Sequence, residues 1–165
     1  MKNLYLIRHA KSSWADLSLP DEDRPLNARG KRDAPRMAEF LADQLTEVDA
    51  FISSPAKRAK ATAKHFLHAF GFSKDDLILN KSLYHASIDD IYNVIFGLND
   101  KRDNIFLFGH NPGFTFFANI FTNDAIANVP TCGIVHIKAD IKKWSDFDYK
   151  SGKLKNFYYP KMFSK

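Results

Sequence analysis

Two runs, Leu-Tyr-Leu-Ile at 4–7 and Ile-Phe-Leu-Phe at 105–108, contain no polar position that would suit a solvent-facing side. Side chains alternate between the two faces of a strand, so a strand built from such a run is buried on both. Both faces of its sheet must then be covered, and helices are the usual cover. Further strand candidates are 48–52, 77–79 and 134–137. Between them Ala34, Met37, Ala38, Leu41 and Leu45 recur at i, i+3, i+4, i+7 and i+11, one face of a helix. Ala59, Thr62, Ala63, Phe66 and Phe70 repeat that spacing, and 88–96 and 114–121 also read as helical. Alternating strands and helices predict an α/β domain with a largely parallel, doubly covered sheet.

A chain of 165 residues suits one domain, 1–165, with a sizeable core. No apolar stretch approaches the roughly 20 residues that span a bilayer. The charged pair at 8 and 9 falls too early for the apolar region of a signal peptide. One cysteine, Cys132, rules out an internal disulfide and fits a reducing cytoplasm, the expected location. The net charge of +5 sits wholly in residues 141–165, with seven lysines and two aspartates. No nucleic-acid motif accompanies these lysines, so the preferred reading is that they solvate and blunt a terminal edge strand. Residues 149–153 read as a hairpin turn between two late, edge-like strands.

Two helix starts carry local signals. In Ser-Ser-Pro-Ala-Lys-Arg, Ser54 suits the cap, Pro55 the first helical position, and Arg58 the first turn or just past it. For the earlier helix either Asn27 or Asp33 could cap, and Pro35 would kink it if Asn27 does.

The apolar run at 4–7 ends on Arg8-His9, and the run at 105–108 ends on Gly109-His110. Open α/β sheets bind ligands outside the carboxyl ends of their strands. If these two strands are neighbours, Arg8, His9 and His110 face one crevice, and Arg58 emerges on the same edge. Two arginines and two histidines without a paired carboxylate make a site for a dianion, because the guanidinium fork matches phosphate oxygens. A neutral imidazole nitrogen can also attack phosphorus covalently. The six histidines show no usual zinc-ligand spacing and no cysteine pair joins them. Cys132 lies beside a strand start without a phosphate-cradling loop, and reads as a small packed residue.

These blocks resemble a known family. "LYLIRHAKSSW" resembles the Arg-His-Gly signature of the histidine phosphatase superfamily, the phosphoglycerate mutase-like proteins. "SSPAKRAKATA" resembles its second block, and "FGHNPG" its third. Ala10 in place of the usual Gly, the short length and "DEDRPLNARGKRDA" resemble the SixA-type phosphohistidine phosphatases. The resemblance implies a three-layer α/β/α fold with His9 as nucleophile. It implies that Arg8, Arg58 and His110 bind the phosphoryl oxygens, with the backbone N–H of Asn111 assisting, and that neither metal nor other cofactor is needed.

The sequence also departs from that family. Ala15 stands where many members carry a phosphate-contacting Asn. Where larger members supply a general acid, this chain offers His85, with Asp89 and Asp90 further on; His85 reads equally as a proton donor or as an ordinary surface residue. A site without a firm acid suits a leaving imidazole, which water protonates readily, better than an alkoxide. The length also leaves little room for a cap over the crevice. The expectation is a metal-independent phosphatase that works through a phosphohistidine intermediate on phosphohistidine in proteins of the histidine-containing phosphotransfer type. The alternatives are a small phosphomonoester substrate or a non-catalytic phosphate-binding module.

Overall fold

The computed structural model describes residues 1–163. One sheet is built from β1 (Lys2–Arg8), β2 (Ala50–Ser53), β3 (Leu77–Leu79), β4 (Asn104–Gly109), β5 (Ile134–Ala139) and β6 (Gly152–Tyr158). Its spatial order is β3-β2-β4-β1-β5-β6. The four strands from β3 to β1 run parallel, and β5 and β6 add antiparallel pairs at one side. Four helices cover it: α1 (Ala28–Gln44), α2 (Lys57–Ala69), α3 (Ile88–Phe96) and α4 (Gly113–Ala118). This is the three-layer α/β/α arrangement that the resemblance implies.

The continuous apolar runs explain the layering. Leu4 and Leu6 of β1 join Ile105 and Leu107 of β4 in a core with Ile91 and Ile95 of α3 and Phe114 and Phe117 of α4. The alternate residues, Tyr5, Ile7, Phe106 and Phe108, pack on the other face against Met37 and Leu41 of α1 and Phe66 of α2. At the β6 edge Lys153 and Lys155 are exposed, which suits the edge-blunting role of the basic C-terminal stretch.

Three local expectations need correction. Strand β2 begins two residues after 48, because the Asp49 carboxylate accepts from the N–H groups of Asp103 and Asn104. Helix α2 begins at Lys57, not at Pro55; the Ser54 hydroxyl accepts from Ala56 N–H instead of capping the helix. Residues 149–151 do turn, but they end a long 140–151 connection from β5 to β6 and lack a flanking strand on their N-terminal side. The choice of cap for α1 is settled: Asn27 Oδ1 accepts from Gly30 N–H at 2.9 Å, so Pro35 lies inside the helix.

Gly30 sets how closely α1 can approach the exit of β1. A Cβ added there would lie 2.2 Å from the backbone oxygen of Lys11, so only glycine lets the helix reach the segment that leaves the strand. Asn27 N–H donates to that same Lys11 oxygen at 3.0 Å. Gly30→Ala is expected to lower stability by about 1–3 kcal/mol, despite alanine's better helix propensity, because backbone must move. Urea unfolding measures this; an unchanged or raised midpoint would show that the approach is not tight.

Candidate active site

In the parallel pairing of β1 with β4, Arg8 lies opposite Gly109, so the next residues, His9 and His110, emerge side by side. Their ring centroids are 5.1 Å apart. The backbone of this dipeptide is held from two sides: His9 N–H donates to Gly109 O at 3.0 Å, and Cys132 N–H is shared between the carbonyls of Arg8 and His9. Ala10 N–H donates to the Thr62 hydroxyl, which donates to the Arg58 carbonyl, tying the β1 exit to α2. Arg58, the second residue of α2, is therefore delivered to the same place.

All six residues named from the sequence (Arg8, His9, Arg58, His85, His110 and Asn111) line one cavity of about 210 Å³. His9 and His110 are 7% and 6% exposed, so the cavity walls are nearly closed at the two rings. His9 Nδ1 lies 2.7 Å from the Ala10 carbonyl, an acceptor only. The neutral ring therefore carries its proton on Nδ1 and leaves the Nε2 lone pair free. His110 Nε2 lies 2.8 Å from Ser54 Oγ, and its Nδ1 lies 3.4 Å from Arg58 Nη2. Arg58 can only donate, so the neutral His110 is protonated on Nε2.

Burial dominates the electrostatics of both rings. It pushes His9 down to about 3, with Arg58, Arg8 and Arg24 adding to the effect and the Ala10 carbonyl opposing it. His110 also falls to about 3 through burial, with help from His9, Arg58 and His85 and against the pull of Asp21. Both imidazoles are thus neutral near pH 7 in the free protein.

Guanidinium groups supply the positive charge. Arg58 gives Nη1 to the Asp21 carbonyl at 2.6 Å and Nη2 to Asp21 Oδ2 at 2.9 Å. Arg8 gives Nη1 to the Val129 carbonyl at 2.9 Å. The Nε atoms of Arg8 and Arg58 are both buried, and neither has a hydrogen-bond partner. Both side chains line the cavity, so an anion placed there meets their positive charge. Among the described residues no cluster of His, Cys, Asp and Glu suits a metal ion.

Sequence reasoning missed three contributors. Arg24, 7% exposed, is a third guanidinium on the cavity wall; it donates to Ser12 Oγ at 2.7 Å and to Asp21 Oδ1 at 3.1 Å, and stacks 3.6 Å above the Trp14 ring. Asp21 accepts from Arg24, Arg58 and, at 2.6 Å, the Tyr84 hydroxyl. The Tyr84 bond, then Arg58 and Arg24, hold its carboxyl far below the usual carboxylate range. Tyr84, through Asp21, helps to fix the position of Arg58. The "DEDRP" stretch held a signal, an arginine among acids just before a proline, but no local spacing links Asp21 to Arg58 or Tyr84.

The remaining candidates separate. The Asn111 side chain is engaged with Asn128, Val129 and Thr115, which leaves only its backbone for a ligand. His85 sits exposed at the rim with φ of 54°, its ring 6.4 Å from that of His110. Asp90 is occupied in a capping box with Ser87 at the start of α3, which holds it ionised, and Asp89 lines a neighbouring concavity rather than the cavity itself. Ala15 is exposed and lies off the cavity wall. Cys132 is fully buried and its thiol is pushed well up by burial, so it stays protonated, as a packed residue should.

The buried rings imply a definite acid response. His9, His110 and also His136, lowered to about 4 by burial with Lys138 and Lys155, have folded pKa values below the ordinary value near about 6.5. The unfolded chain then binds more protons in the window from about 6.5 down to about 3, so stability is full above that window and falls through it. Ring-nitrogen NMR is expected to show His9 and His110 neutral down to about pH 4, with the melting temperature declining over the same range. Midpoints near 6.5 for these rings would contradict the assignment.

Comparison with known proteins places this geometry. The sequence model of the histidine phosphatase superfamily (branch 1) matches residues 4–84, which include Arg8, His9 and Arg58. An uncharacterised chloroplastic protein of Arabidopsis thaliana is 30% identical over 159 residues, 92% of this chain and 72% of that protein. The crystal structure of the SixA protein of Agrobacterium tumefaciens superposes with a TM-score of 0.80 at 27% identity, covering 96% of this chain and 98% of that one. The protein histidine phosphatase SixA complexed with tungstate superposes at 0.78, with 17% identity and 94% and 95% coverage, a likeness of fold. The chain belongs to the histidine phosphatase superfamily, branch 1, as a member of the SixA type.

Proposed function

We propose that this phosphatase works through a phosphorylated His9, without a metal ion, and that its substrate is phosphohistidine in a protein of the histidine-containing phosphotransfer type. One observation carries the reading: the Arg8 and Arg58 side chains line one small cavity with a neutral imidazole whose Nε2 is free. In the first step His9 Nε2 attacks phosphorus. The Nε2–P bond forms, the substrate's N–P bond breaks, and the leaving imidazole takes a proton from water. In the second step water attacks the phosphorylated His9, a P–O bond forms, Nε2–P breaks, and inorganic phosphate leaves. Arg8 and Arg58 hold the phosphoryl oxygens, joined by His110 once its Nε2–H turns from Ser54 Oγ to the phosphoryl group, with the Asn111 N–H assisting; such positioning supplies most of the catalysis in phosphoryl transfer. The tungstate bound by a SixA protein of the same fold is an oxyanion of comparable charge and shape, which supports an oxyanion here.

A cytoplasmic location goes with this reading. No helix among the described residues is long and apolar enough to cross a membrane, and the single cysteine is a buried thiol.

A second reading, a small phosphomonoester, rests on His85. Its left-handed backbone places a protonable ring at the rim, where a leaving alkoxide would need a proton. His85→Asn, which tolerates that backbone, separates the two. On an alkyl phosphate a fall in kcat of about 100-fold would favour the second reading. Unchanged turnover of a phosphohistidine protein would favour the first.

The central test is a phosphoenzyme trap in EDTA. Wild type and His9→Ala are mixed with a labelled phosphohistidine protein and quenched within milliseconds. Label is expected on wild type alone, acid-labile and alkali-stable, and decaying to phosphate. Arg58→Ala is expected to slow that transfer by about 100- to 1000-fold. If label never moves while both proteins bind the substrate, the chain is a phosphate-binding module.

A further inference from the structure

The catalytic cavity lies in the middle of a longer trough. On one side a concavity of about 750 Å³ shares Arg8, Lys11 and Thr131 with it. On the other side a concavity of about 580 Å³ shares His85, His110 and Asn111. The two flanks differ in charge. The first presents Lys11, Arg29, Arg32 and Lys161, and its one carboxylate, Asp33, is engaged with Arg32 at 3.2 Å. Among the described residues Lys11, Arg29 and Lys161 have no carboxylate partner within 4.0 Å. The second flank has no lysine or arginine; Asp89, Ile88 and the 58%-exposed Phe116 stand there.

A small metabolite centred on the phosphate cavity would leave one or both flanks unused. A nucleic acid would present phosphates along the whole trough and meet cations on one side only. A polypeptide with its phosphorylated residue in the middle, acidic on one side and apolar on the other, matches both flanks. We infer that the trough binds the phosphoprotein directionally, with acidic residues on one side of the phosphohistidine seated among Arg29, Lys11 and Lys161 and an apolar segment against Phe116. This deepens the phosphohistidine-protein reading and rests on it.

The test uses peptides that carry a non-hydrolysable phosphohistidine mimic, with glutamates before it, glutamates after it, or alanines on both sides. Binding to wild type is followed by fluorescence anisotropy, with phenylphosphonate as a small competitor that reports the phosphate cavity alone. One glutamate peptide is expected to bind at least about tenfold tighter than the alanine peptide, and the other to show no such gain. The preference should shrink with added salt and disappear in the double variant Arg29→Glu, Lys161→Glu. Phenylphosphonate binding by that variant should be unchanged, which shows that it is folded.

Equal affinities for the three peptides, equal gains from both glutamate peptides, or a preference that survives the double variant would each overturn the directional groove. Binding of all three peptides without preference removes the groove and leaves the phosphoprotein reading standing. Binding of phenylphosphonate but of no peptide removes both.

Discussion

The parallel pairing of β1 with β4 is the constraint on which the site depends. Its register runs from Asn3 opposite Asn104 to Arg8 opposite Gly109, so both strands end at one level and release His9 and His110 together. That register is held by the cores on both faces, because a slip of one residue would exchange Leu4 and Leu6 with Tyr5 and Ile7 between two differently shaped helix layers. The packing of fully buried side chains far from the cavity therefore sets the 5.1 Å separation of the two rings. The same strand ends bring the Cys132 N–H under the Arg8 and His9 carbonyls, so the dipeptide cannot swing away from its neighbours.

Charge within that frame is deliberately unbalanced. Arg8, Arg24 and Arg58 line the cavity, and Asp21 is the carboxylate that answers two of them. Asp21 does not neutralise the site so much as orient it. By taking Nη1 and Nη2 of Arg58 on its carbonyl and carboxylate, it turns the guanidinium so that Nε is left over. Nearby cations and burial act in the same direction on His9: each disfavours the imidazolium, which could not attack phosphorus. An imidazole kept neutral by burial and nearby guanidiniums needs no separate base for the proposed attack, because the Ala10 carbonyl already fixes the proton on Nδ1.

Much of this was legible in the sequence for a physical reason. Long apolar runs specify buried parallel strands, and the residues just past the end of such a strand must lie on the crevice edge. Arg8, His9, Arg58 and His110 could therefore be placed on one crevice edge on the condition that β1 and β4 are neighbours, and the pairing of those strands meets it. The start of α1 could not be chosen from sequence, because Asn27 and Asp33 are both good caps and only the approach of Gly30 to Lys11 decides between them. The Ser54 cap failed because its hydroxyl faces a histidine 56 positions away, a contact local propensity cannot see. Asp21, Arg24 and Tyr84 escaped for the same reason. They lie in or at the end of single 3-10 turns, too short to show a periodicity, and are joined to the site by tertiary bonds.

The strained positions in the chain lie beside the chemistry. Among the described residues, His85 and Cys132 are the non-glycine residues with positive φ, at 54° and 59°. Glycine at either place would relieve the strain, but at position 132 it would remove a fully buried side chain from the core against α1 and α2. Cys132 adopts this conformation where its N–H bonds to the Arg8 and His9 carbonyls, and His85 does so where its ring comes over the cavity rim. Close approach is enforced nearby too: a Cβ at Gly113 would lie 2.2 Å from the Ala86 oxygen, so the first turn of α4 is pressed against the residue after His85. Strain of this kind persists only where surrounding packing holds it, and here the packing comes from the two cores that also set the β1–β4 register. The rim and the floor of the cavity are thus fixed by the same burial that fixes the sheet, which lets a small α/β layer structure hold a dense group of cations in one place against their mutual repulsion.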